Sequence, residues 1–216
     1  MKSERAAIST RVLVCSAAAV LGLEAAYAAL TAAAPANRML FLGLTRLLQT
    51  GALIGVVAWL GSGPAAIGLE KRTFFLGAAK GLLWSAGFGA AALVVLGLLW
   101  AAGIDVRSLF YTRLPAGLKE RLLFLWVGGL VAPVAEELFF RGILYGFFRR
   151  WGVVAALVVS TGLFAVAHFL KGSLPATQLV GGILFAAAYE VEGSLAAPVV
   201  IHVLGNLAIF AVSMMS

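Results

Sequence analysis

The sequence predicts an all-α fold: a polytopic membrane helical bundle of about seven transmembrane helices plus an interfacial segment. Three observations point there. The 216 residues are 62% hydrophobic and only 12% charged, with a mean hydropathy of +1.04, whereas a soluble domain carries about 25% charged residues. Most of the chain falls into apolar runs near the ~20 residues that a helix needs to cross a bilayer. Those runs lack the period-two alternation of membrane β-barrel strands.

The first helix is expected from about Ser9 to Ala34, ending before Pro35. Its apolar run, Arg11 to Ala34, exceeds the ~7–15 residues of a signal-peptide core and reads as an uncleaved span. The second runs from about Met39 to Leu60 and stops at Gly61-Ser62-Gly63-Pro64. The third covers about Thr73 to Ala102. Asp105 to Arg121 mixes aromatic, aliphatic and basic residues around a Pro-Ala-Gly turn, as an interfacial segment does. The fourth helix covers about Leu122 to Arg150, with Pro133 inside it. The fifth covers about Val153 to Leu170, the sixth Ala176 to Tyr189, and the seventh Ser194 to Ser213. The chain divides into N-terminal helices, 1–121, and a motif-bearing core, 122–216, within one membrane domain.

The net charge is +7, and its basic residues flank the apolar runs: Lys2, Arg5 and Arg11; Lys71 and Arg72; Arg107, Arg113, Lys119 and Arg121; Arg149 and Arg150. That placement suits anionic lipid headgroups, so the bilayer is the expected partner and nucleic acid is not. Arg38 and Lys171 help bring the two faces almost level, and the N-terminal cluster favours an inside N-terminus. The single cysteine, Cys15, excludes an intrachain disulfide and a Cys-based zinc site. It reads as a packed helix residue.

The fourth helix carries Glu136, Glu137 and Arg141 near its middle, where each ionisable group costs about 2.5–3.5 kcal/mol to insert. Glu137 and Arg141 are spaced i, i+4 with the acid first, so each neutralises the other. Glu136 points about 100° away and needs a polar partner from another helix. The only two histidines, His168 and His202, lie in apolar helices, and Asn206 shares a face with His202. Antiparallel alternation at ~1.5 Å per residue brings Glu136, His168, His202 and Asn206 into one slab about 10 Å thick. Pro133 removes a backbone hydrogen bond and frees the Gly129 carbonyl. With Gly128 and Gly129 beside it, this helix is suited to line a polar cavity.

EELFFR, FAVAH and HVLGN, in this order on separate helices, resemble the EExxxR, FxxxH and HxxxN motifs of the CAAX prenyl endopeptidase and bacteriocin-processing family of intramembrane proteases. GSLAAPVVIHVLGN also resembles the family's last motif helix. The resemblance covers about Leu122 to Ala208. It implies Glu136 as general base for a water, His168 as holder of that water, and His202 and Asn206 as oxyanion donors. Glu137 and Arg141 support the site from behind. No Ser or Cys joins the set, which points to direct attack by water.

A metal-free site is expected, with zinc as the alternative through Glu136, His168 and His202. The implied partner is a protein or peptide substrate at the membrane, and the expected location is a prokaryotic cell (inner) membrane. Two other readings compete: a proton-coupled transporter, since membrane Glu and His also relay protons, and a non-catalytic scaffold or immunity protein. Glu190 and Glu192 read as a short loop before the seventh helix, either a solvated turn or a lure for a basic substrate segment. Glu24 either snorkels, pairs with Arg46, or meets substrate.

Overall fold

The computed structural model describes residues 7–61, 63–106, 112–169 and 176–214. Lys2, Arg5, Arg107, Lys171, the expected helix end at Leu170 and the middle of the expected interfacial segment lie outside the described residues. Among those described, seven long helices and no strands are present. They are α1 (Thr10–Ala33), α2 (Arg38–Leu60), α3 (Lys71–Ala101), α4 (Leu118–Trp151), α5 (Val153–Phe169), α6 (Ala176–Glu192) and α7 (Ala196–Met214). Five of them, α1 to α4 and α7, are long and apolar enough to cross a bilayer. At 17 residues each, α5 and α6 are about 25 Å long.

Local chemistry sets the ends. Ser9 caps α1, its Oγ accepting from Val12 N at 3.3 Å. Gly152 (φ 103°) and Gly193 (φ 68°) reverse the chain after α4 and α6 in a backbone region that L side chains avoid. The stop at Gly193 corrects the expected end of the sixth helix. Glu190 and Glu192 therefore sit in the last turn of α6 rather than in a loop.

Both acids are engaged there. Glu190 accepts from Tyr145 Oη at 3.0 Å and pairs with Arg149 at 2.9 Å. Glu192 accepts from Trp84 Nε1 at 2.9 Å and faces Lys80 at 3.5 Å. They pin α6 to α4 and α3. The expected start of the fourth helix is also moved: Leu118 to Arg121 already belong to α4, so the interfacial stretch is shorter than the sequence suggests.

Helix α4 is central. It touches α1, α2, α5, α6 and α7, while α1 pairs with α2, α3 with α7 and α5 with α6. Its faces enter two apolar clusters. One joins Leu138, Ile143 and Tyr145 to Val12, Leu53, Val57 and Ile67. The other joins Phe140 and Leu144 to Phe164, Phe185 and Ile201. By contrast, the most apolar stretch of α3 has no buried residue, and Leu83, Leu93 and Leu98 face outward. Such a surface is stable only against lipid tails, and the chain is an integral membrane protein.

Close approach of α3 and α7 depends on two glycines. A Cβ at Gly77 would lie 2.3 Å from Ser194 Oγ, and one at Gly81 would lie 2.7 Å from Ala197 O. Between α1 and α2, Arg46 pairs with Glu24 and donates to Gln49 Oε1 at 2.6 Å, which selects the pairing among the three expectations for Glu24. Cys15 is exposed, not packed. The buried positions Val12 and Ser16 are four apart on one stripe, and Cys15 is turned off it.

Candidate active site

The local winding of α4 builds the site. The helix is interrupted by two π-helical stretches, Val127–Val131 and Leu138–Tyr145, on either side of a short α-helical piece, Ala132–Glu137. In the first, Ala132 N–H donates to Val127 O, five residues back. Continued by one residue, that winding sets Gly128 O opposite the nitrogen of Pro133, which has no hydrogen to give. Asn206 Nδ2 supplies the donor instead, at 2.8 Å. The freed carbonyl is therefore that of Gly128 and not of Gly129, because the π register moves the partner by one residue.

The two acids then face different neighbours. Glu137 Oε1 accepts from Arg141 Nη1 at 2.9 Å and from His202 Nδ1 at 2.8 Å. Arg141 Nη2 donates to Gly182 O on α6 at 3.1 Å, and its guanidinium lies over the rings of Phe164 and Phe185, 4.7 and 5.1 Å from their centroids. Glu137 and Arg141 are fully buried. Glu136 turns towards the two imidazoles: its Oε2 lies 3.9 Å from His168 Nε2 and 3.8 Å from His202 Nε2. The side chains of Glu136 and His168 keep 13% and 20% of their exposure, so of the two acids Glu136 is the one not fully enclosed. Helices α4, α5 and α7 thus bring Glu136, His168 and His202 together, while Asn206, one turn along from His202, is tied to Gly128.

The acceptors fix the imidazole tautomers. His202 Nδ1 faces a carboxylate and His168 Nδ1 lies 2.9 Å from Phe164 O, so both Nδ1 atoms carry hydrogen. When neutral, both rings direct Nε2 lone pairs at Glu136. The 3.8 and 3.9 Å gaps are too long for direct hydrogen bonds and short enough for one water to touch both sides.

A family model described as Rce1-like, type II CAAX prenyl endopeptidase Rce1-like, matches residues 118–208. That segment, under half of the chain, is similar to this family. No curated protein and no solved structure matches the chain. The matched segment starts where α4 starts and holds Glu136, Glu137, Arg141, His168, His202 and Asn206. The match supports a protease acting on a protein or peptide at the membrane.

Zinc is the alternative expectation for this site. The donor types suit it, and the spacing stands wider than in a closed zinc site. Two ligands of a tetrahedral zinc at ~2.0–2.1 Å stand about 3.4 Å apart, below both Glu136–imidazole distances. Among the described residues no group of three or more His, Cys, Asp or Glu has the geometry to hold a metal.

Three contributors carry no signal in the motifs. Gly182 supplies a carbonyl to Arg141, and Thr161 packs where a Cβ at Gly182 would lie, 2.8 Å away. Phe185 stacks on His202 with centroids 4.6 Å apart and planes 20° apart. Gly128 could have been found from Pro133 by counting back five residues instead of four.

Proposed function

We propose that the chain is an intramembrane endopeptidase that hydrolyses a peptide bond of a membrane-associated or lipid-linked protein or peptide, using water activated by Glu136. The observation that carries this reading is the convergence of Glu136 Oε2 with the Nε2 atoms of His168 and His202 from three helices.

A water among these groups gives one hydrogen bond to Glu136 and another to the lone pair of neutral His168. Its oxygen lone pair is then left for the scissile carbonyl carbon. On attack, Glu136 takes the water proton and the carbonyl oxygen becomes an oxyanion. Two donors face that charge. Asn206 holds one amide hydrogen on Gly128 O and directs its other to the oxyanion. His202 donates from Nε2, which requires the imidazolium form because Nδ1–H is committed to Glu137. As the tetrahedral intermediate collapses, Glu136 passes its proton to the leaving amine. Fixed donors of this kind contribute about 10²–10³ in rate each. No step passes through a metal.

The reading is tested by deleting the gene, comparing precursor-protein lengths by mass spectrometry, and restoring wild type, Glu136→Ala or His202→Ala. Wild type alone should restore the shortened products. Restoration by Glu136→Ala would contradict the mechanism.

A further inference from the structure

We propose that Phe185, on the motif-free helix α6, is a positioning residue that fixes the imidazole plane of His202 in the active site. Nothing in the reacting groups themselves does this. The bond from Nδ1 to Glu137 anchors one edge of the ring, but a ring held by one edge can still swing about that bond. The swing would carry Nε2 away from Glu136, 3.8 Å off. Phe185 covers the face of the ring, nearly parallel, at 4.6 Å. Phe164 closes the side at 5.8 Å, with planes 85° apart. A parallel plate and a perpendicular one, together with the Nδ1 anchor, leave the imidazole a single orientation.

Phe185 is itself held. It is 7% exposed, lies edge-on to Phe164 at 6.4 Å, and carries the Arg141 guanidinium over its ring. That guanidinium is locked in turn by Glu137 and by Gly182 O, one turn before Phe185 on α6. The plate therefore has a fixed height and tilt. Its flatness is what matters: a branched aliphatic side chain fills similar space without presenting a plane for the ring to lie on.

The chain has only two histidines, so ¹⁵N-histidine labelling in lipid nanodiscs gives two imidazole signal sets, assigned with His202→Gln. His168 is the internal control: Phe185 stacks on His202, whereas His168 lies against Phe164, 4.5 Å between centroids. Phe185→Leu should broaden or split the His202 Nδ1–H resonance through exchange between ring orientations while leaving His168 sharp. Phe185→Tyr, which keeps the flat ring, should restore a single sharp His202 signal. Unchanged His202 signals in Phe185→Leu overturn the proposal, and so does equal broadening of both histidines, which marks general loosening. Failure of Phe185→Tyr to restore the signal, with His168 still sharp, overturns it as well. The kinetic arm rests on the protease reading: with a substrate found from the precursor comparison, Phe185→Leu should lower kcat about tenfold with KM unchanged. The spectra need no substrate, so a chain without proteolysis would sink the protease reading and leave the ring-orientation result standing.

Discussion

Glu137 meets two needs with one oxygen: it neutralises Arg141 and fixes the tautomer of His202, while Glu136 turns towards the Nε2 side of the imidazoles. The pair with Arg141 was legible from the i, i+4 spacing alone, and so was the isolation of Glu136. The bond to His202 was not, because it joins residues 65 positions apart and sequence spacing says nothing about which helix faces which. Cys15 was misread for a related reason. A run of small apolar residues has no clear stripe, so burial cannot be assigned within it. Arg141→Leu should destabilise the protein by about 3–5 kcal/mol, since it leaves Glu137 charged in an apolar interior. Glu137→Leu combined with Arg141→Leu should recover part of that loss. Detergent-phase thermal melts of the single and double variants check both statements.

At the scale of elements, helix positions were legible because apolar runs, prolines and glycines mark them. The π windings of α4 were not. They are set by what the helix packs against, with Gly128 against Phe210 and Gly129 against Leu207 of α7, and by the missing hydrogen of Pro133. Pro133→Ala supplies an N–H that competes with Asn206 for Gly128 O. Cleavage should fall while the melting temperature holds or rises, measured on the same preparation. The α3–α7 contact makes a paired prediction. Gly81→Ala forces a Cβ against the Ala197 backbone and should destabilise. Gly87→Ala, with nothing within 4 Å, should be neutral or stabilise by up to about 1 kcal/mol. Equal effects in melts of the two variants would contradict the packing.

Across the whole molecule, the seven-helix order and the alternation that brings three spans to one site were readable from the sequence. The lateral arrangement was not, because lipid-facing apolar residues look like core residues when both are leucine. The described residues place Arg11, Lys71, Arg72, Arg149 and Arg150 at the face where α1 and α3 begin and α4 ends. Arg38, Arg113, Lys119 and Arg121 lie at the other face, so the count is almost level and the inside N-terminus stays an expectation from the N-terminal cluster. In a Cys15→Ser background, Arg72→Cys should react with a membrane-impermeant maleimide in inverted vesicles and not in intact cells. Labelling in intact cells would reverse the orientation.

The most direct test of the proposed three-helix water site is cleavage of the identified precursor by protein reconstituted in nanodiscs with excess chelator. Wild type should cleave at its full rate, and Glu136→Gln, which keeps shape but cannot take a proton, should be slower by about 10³-fold. Cleavage by Glu136→Gln at the wild-type rate would show that this carboxylate does not activate the water.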